Sequence, residues 1–208
     1  STATTTPVQT ATANAGAASD VVIATGGSVT LDEQPGSTAV TVNSNNTVTN
    51  NGQVTVTDSN NAVGVRIGPG ITGSYSGTGT INLTEDYTRT DTDDDDDLDG
   101  PLATGTGRVG LLLESGGAFT GNITLDRSST VGSAITVEGN DSFGVSLRSQ
   151  LNGNFLQNGN ISIIGSNSVG VDIRENVTGN VEIGGSPSAQ GEGSVAVRVL
   201  GDVAGEFM

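Results

Sequence analysis

The stretch Val169-Gly170-Val171-Asp172-Ile173, followed by Gly179-Asn180-Val181, decides the fold. Strict alternation places Val169, Val171 and Ile173 on one face of a strand and Gly170, Asp172 and Arg174 on the other. The same block, apolar-small-apolar-x-apolar, recurs at Val63–Ile67, Val109–Leu113, Phe143–Leu147 and Val195–Val199. Its small residues are Gly64, Gly110, Gly144, Gly170 and Ala196, at intervals of 46, 34, 26 and 26 residues. A second glycine follows each of them, at Gly73, Gly121, Gly153, Gly179 and Gly205, with offsets of 9, 11, 9, 9 and 9. Asn122, Asn154 and Asn180 come directly after three of these glycines, and each precedes an apolar residue. Two marks that hold a common register define an internal repeat, and a period in the twenties points to a stacked architecture.

Three short strands joined by Gly, Asn and Ser turns make one coil of the 26-residue unit. One coil cannot bury its apolar face alone, but stacked coils can, each pairing with the next at about 4.8 Å. Equivalent Asn side chains at the corners are positioned to form hydrogen-bonded ladders. The spacing therefore predicts an all-β chain, a parallel β-solenoid, and within that class a right-handed three-faced β-helix. Earlier strands are expected near 21–23, 29–31, 38–42 and 54–56, giving six to seven coils. A two-sheet sandwich also has many short strands, but it does not explain equal repeat intervals. Residues 1–19 are rich in Thr and Ala without periodicity and are expected to form a flexible leader. The solenoid domain then covers 20–208, with the 46-residue interval taking an insertion at 85–107.

Composition narrows the chemistry. Among 208 residues there are 23 acids against 7 bases, every base is arginine, and there is no Lys, His, Cys or Trp. A formal charge of −16 argues against nucleic acid or an anionic membrane surface as partner, because phosphate recognition needs clustered Lys and Arg. Without His and Cys the usual imidazole bases, thiol nucleophiles and zinc ligands are gone. No stretch is long and apolar enough to read as a transmembrane helix. Nearly half the chain is Gly, Ser, Thr or Asn, yet Val and Ile are plentiful enough to build strands.

The insertion carries the one chemical constellation. Its core, Asp91-Thr92-Asp93-Asp94-Asp95-Asp96-Asp97-Leu98-Asp99-Gly100-Pro101, places Asp at positions 1, 3, 5 and 9 of a calcium-loop pattern. Hard Ca²⁺ takes six to eight oxygens, and alternate residues on a tight turn aim their carboxylates at one centre. Asp91, Asp93, Asp95 and Asp99 are the side-chain ligands of this reading, Asp97 offers its backbone carbonyl, and Glu85 or Asp86 can add a carboxylate. Leu98 is expected to pack the loop against the coil. Position 6 calls for positive φ and usually Gly, whereas this chain has Asp96; no Glu stands at position 12, where Leu102 is found. The bland alternative is a solvated acidic run, which like-charge runs usually are. Elsewhere, isolated acids fall at turns or outward positions, and Asp172 is expected to meet Arg198 in an exposed cross-coil ion pair. Gly-x-Gly strings precede no helix, and Thr-x-Thr runs are not expected to recur in register along the coils.

The Val-Gly-Val…Gly-Asn-Val spacing, the Thr/Ala-rich opening and the Asp91–Pro101 insertion resemble passenger regions of autotransporter outer-membrane proteins of α-proteobacteria. The resemblance covers 20–208. It implies secretion to the surface of a Gram-negative cell and a β-helical passenger carried by a separate membrane β-barrel, with no membrane insertion of this region itself. The corresponding function is non-enzymatic: an adhesin, stalk or surface structural element that meets an unidentified surface or glycan receptor, with Ca²⁺ ordering the loop. Two alternatives stand beside it. One is a filament subunit, a homo-oligomer stacking through its open solenoid edges at Val195–Val199; the other is a polysaccharide-acting β-helix enzyme.

Overall fold

The computed structural model describes residues 2–126 and 134–208, whose strands assemble into three long parallel sheets. Sheet A contains Ala3–Thr4, Ser28–Asp32, Gln53–Thr57, Thr80–Thr84, Ile135–Glu138, Ile161–Ile164 and Pro187–Gln190. Sheet B contains Val8–Gln9, Thr38–Val42, Val63–Ile67, Val109–Leu113, Phe143–Leu147, Val169–Ile173 and Val195–Val199. Sheet C contains Val21–Ile23, Thr47–Asn50, Ser74–Gly77, Ile123–Leu125, Phe155–Gln157 and Val181–Ile183. From Val21 onward the chain visits C, then A, then B, and repeats, so each circuit lies on the one before it. This is a parallel β-solenoid.

Register explains why the fold is stable. Val29, Val54, Ile81, Ile135 and Ile161 form one inward row of sheet A, each paired with its equivalent in the next coil. Sheet B has inner rows through Val40, Val65, Leu111, Val145 and Val171, and through Val42, Ile67, Leu113, Leu147 and Ile173. Nearly all of these side chains are fully buried in one continuous core. At roughly 1.5–3 kcal/mol per buried Val, Leu or Ile, the rows are the main stabilising term. Phe119, Leu151 and Val177 fill the corner between sheets B and C, stacking above one another.

The small residue of the sequence block has a steric cause. A Cβ on Gly144 would sit 2.5 Å from the Gly170 backbone oxygen and 2.5 Å from Ile161 Cγ2. Equivalent contacts, 2.5–2.7 Å, confront Gly64 and Gly110. The ladder pairing skips this residue between successive strands from Thr38–Val42 to Val195–Val199.

At the corner from sheet A into sheet B several residues have positive φ, and one equivalent position has it in every coil: Gly36, Asn61, Gly107, Asp141, Asn167 and Gly193. Only Gly, Asn and Asp occupy it, the residues that tolerate left-handed backbone. The next position is serine in four of these six coils, with Ala62 and Arg108 in the other two; Ser142 N–H donates to Ser168 Oγ (3.1 Å) and Ser168 N–H to Ser194 Oγ (3.0 Å). The asparagine ladders also exist, but they run from side chain to backbone. Asn122, Asn154 and Asn180 each accept, through Oδ1, the N–H of Asn154, Asn180 and Glu206 in the following coil, at 2.8–3.0 Å.

Several expectations need correction. Strict alternation does not hold across the small residue of the sheet B block: Val63, Val109 and Phe143 pack with Leu112 in a separate apolar cluster instead of joining the core rows. Among the described residues of 1–19 there is no free leader: Ala3–Thr4 pairs with Ser28–Val29, and Val8 and Gln9 pair with Val40 and Thr41. Thr10–Thr12 forms a short 3₁₀ turn held by Asn43, whose Oδ1 accepts the Ala11 N–H at 3.0 Å. Backbone pairing onto an existing coil needs no apolar period, so this segment gives no repeat signal. The 34-residue interval gains two residues at Gly116–Gly117, and the rest of its extra length falls at 127–133, outside the described residues. A further correction concerns Asp172 and is described with its neighbours below.

Candidate functional site

The acidic insertion leaves the solenoid after Thr84 and returns before Val109, at the corner between sheets A and B. Its two ends are clamped together. Glu85 accepts the N–H groups of Thr104 (2.7 Å) and Gly105 (2.6 Å), along with the Thr104 hydroxyl (3.0 Å). Beneath it lies Arg108, 2 % exposed, with Nη1 3.6 Å from Glu85 Oε2. Arg108 also donates to the carbonyls of Ser59 (3.1 Å) and Glu138 (2.5 Å), one in the coil before and one in the coil after. It occupies the place in the serine ladder where the insertion joins, and its own N–H still donates to Ser142 Oγ. Sequence reasoning passed over Arg108, because nothing in a linear pattern distinguishes a buried arginine from a surface one. Glu85 is thus part of the clamp; Asp86 also stays at the base, its N–H donating to Asp58 Oδ1 at 3.1 Å.

Beyond the clamp the loop folds on its own aspartates. Thr90 and Asp99 form an antiparallel bridge. The Asp99 carboxylate accepts the Thr92 N–H (2.7 Å) and hydroxyl (2.5 Å), which hold its pKa below the ordinary 3.8. Asp91 accepts the N–H groups of Asp94 (2.8 Å) and Asp96 (3.1 Å). Asp96 adopts φ +70°, the conformation the sixth loop position demands, and Asp94 adopts +59°. The chain therefore makes the glycine-type turn with aspartate.

Of the five sequence-predicted ligands, the structure brings three together. One carboxylate oxygen each from Asp91, Asp93 and Asp99 lies within 4.8 Å of the other two. Asp95 is not in that group; its Oδ1 accepts the Asp97 N–H at 3.2 Å. The Asp97 side chain is likewise outside it. Leu98 is 52 % exposed, so it does not pack against the coil as expected. Three convergent carboxylates are half a calcium shell; a hard divalent cation there would complete it with backbone oxygens and water.

The second polar cluster lies on the outside of sheet B, away from the insertion. Asp172 is fully buried, although its strand position faces outward. Its Oδ1 accepts from Arg198 Nε at 2.8 Å and its Oδ2 from Arg174 Nε at 2.5 Å. The expected partner, Arg198, is present, but the pair is not the exposed bridge of the expectation, because two guanidinium groups close over the carboxylate. Burial raises the Asp172 pKa, but hydrogen bonds and charge from Arg198 and Arg174 outweigh it and hold the group below 3.8. Ser146, in register one coil earlier, donates to Asp172 Oδ2 at 3.4 Å, and Arg148 Nε donates to Ser146 Oγ at 3.0 Å.

These features define a class: a parallel β-solenoid with one clamped lateral acidic loop and one arginine-rich outer stripe. No protein family matches the chain, and neither a curated protein nor a solved structure is detectably similar to it.

Proposed function

We propose that this chain is a non-enzymatic structural element of a bacterial cell surface, a rigid solenoid that holds its lateral loop at a fixed position. The observation that carries this reading is the uninterrupted register of two seven-stranded sheets and one six-stranded sheet around one long apolar core, beside which Val63, Val109, Leu112 and Phe143 form a smaller cluster. Such a stack resists bending, and its variation is confined to insertions that leave the core rows intact. The Asp91, Asp93 and Asp99 carboxylates support a further part of the reading, a Ca²⁺ ion that orders the loop. The autotransporter-passenger assignment belongs to the same proposal and accounts for surface delivery. Antibody labelling of intact source cells tests it: the reading expects labelling without permeabilisation, and labelling only after permeabilisation would overturn it.

A second reading has its own support. Val195 and Val199 of the last sheet B strand are 41 % and 37 % exposed, and Leu200, Phe207 and Met208 more so. The first coil of another copy would cover this end in the register used throughout, giving a head-to-tail filament. Concentration-dependent rods in electron microscopy would favour it.

A further inference from the structure

The arginine stripe of sheet B has no role in the proposed function, and its geometry is that of an incomplete ion-pair ladder. Arg148 and Arg174 hold equivalent places in successive coils, their N–H groups donating to the Leu113 and Leu147 carbonyls respectively. Arg174 is matched by the carboxylate of Asp172, two residues before it. At the equivalent place before Arg148 stands Ser146, in register with Asp172. Arg148 therefore has a hydroxyl where its successor has a carboxylate, and no acid lies within 4.0 Å of it among the described residues.

Three further observations show that this end of the ladder is short of negative charge. Arg148, Arg174 and Arg198 each bond through Nε alone. Their terminal Nη pairs, the fork that fits a carboxylate bidentately, make no hydrogen bond within the protein among the described residues. The Arg148 and Arg174 guanidinium groups stand over the same Phe143 ring, 5.2 and 5.3 Å from its centroid. Both are thereby fixed in place beside a like charge. Burial, and then the neighbouring Arg174 charge, lower the Arg148 pKa from its ordinary value. Asp172 is shared by Arg174 and Arg198 alone, and the Glu114 carboxylate, one coil before Arg148, is taken by Arg66.

We propose that Arg148 and Arg174, seated on Phe143, form a binding site for a carboxylate group, which bridges them as Asp172 bridges Arg174 and Arg198. A planar monoanion suits the two forks, and the acidic field of the whole chain repels it less than a phosphate or sulfate dianion. The carboxylate has two sources with the same chemistry, a free organic acid or the exposed aspartates of a second copy's Asp91–Asp99 loop.

The test titrates the intact chain with galacturonate, in metal-free buffer at constant ionic strength, and follows the Arg Nε–Hε resonances. The site predicts saturable shifts at Arg148 and Arg174, at least tenfold weaker binding of sulfate, and loss of the response in Arg148→Gln. Ser146→Asp supplies the missing carboxylate from within the chain and should also abolish it. Sedimentation velocity separates the sources. Self-association that galacturonate reverses, and that Asp94→Asn with Asp95→Asn and Asp96→Asn removes, assigns the site to a second copy. A monomer with saturable galacturonate shifts assigns it to a free acid. A monomer with shifts that are linear, or that persist in Arg148→Gln, overturns the proposal. Metal-free conditions keep this outcome separate from any calcium effect on the loop.

Discussion

Asp172 shows how a single residue acquires a role that its own strand does not confer. In the sequence it occupies an outward position, and outward acids on exposed sheets are ordinarily solvated. Its burial comes from Arg174, two residues ahead, and Arg198, one coil later, whose apolar stems cover it while their nitrogens bond to it. Removing one side of a buried pair costs 3–5 kcal/mol, but both arginines are more than a third exposed, so the cost here is discounted for solvent screening. Asp172→Ala is expected to lower stability by about 2 kcal/mol in urea denaturation. The pH dependence follows from the depressed carboxyl pKa: its contribution is complete above the ordinary value of 3.8 and is lost as pH falls through the lower folded value. Asp172→Asn should therefore flatten the acid limb of the stability profile below about pH 4. An unchanged acid limb would mean that other carboxylates govern acid unfolding.

Gly144 is the opposite case, a residue whose role was legible in the linear sequence. The small residue recurs in each block because a Cβ there would run into the backbone of the next coil, and the recurrence alone marked it. A Cβ there would meet the Gly170 backbone oxygen, which cannot move aside, and Ile161. Gly144→Ala is expected to destabilise by about 1–3 kcal/mol through overpacking. Equal stability of the variant would show that the coils separate more easily than their register suggests.

At the scale of elements, the acidic loop and the first coil were read with unequal success, for one physical reason. The aspartate spacing gave the turn, and Asp96 takes the positive φ that the pattern requires. Which carboxylates converge depends on local N–H donors, and Asp95 is drawn aside by the Asp97 amide. Spacing cannot register that competition, nor could it register that Leu98 lies in solvent. The same limit applies to residues 2–19, where strand pairing is supplied by the coil they cover. Calcium titration followed by calorimetry distinguishes the ligands. Asp93→Asn, removing one of the three convergent groups, is expected to weaken binding on the order of tenfold or more. Asp95→Asn should change it far less. Equal losses would mean that the loop rearranges around the ion, and no heat in the wild-type chain would remove calcium from the functional reading.

At the scale of the whole molecule, the solenoid was legible because its core is written in rows. Each row repeats once per coil, so a 26-residue interval in the sequence becomes neighbouring strands in space. A quasi-one-dimensional stack has nearest-neighbour energetics, and a residue's contribution then depends on how many coils flank it. Ile161, fully buried between Ile135 and Pro187, has a coil on each side. Val199, 37 % exposed, has only Ile173 as its paired neighbour. Ile161→Ala is expected to cost about 2–5 kcal/mol, as a cavity in a closed core does. Val199→Ala should cost well under half as much. Hydrogen exchange should follow the same gradient, with the amides of Val109–Leu113 protected most and those of Val195–Val199 least within sheet B. If the last strand proves as protected as the central ones at high protein concentration and loses that protection on dilution, another copy is covering it. The gradient would then report assembly as well as stability, which gives the head-to-tail reading a solution measurement independent of any image of rods.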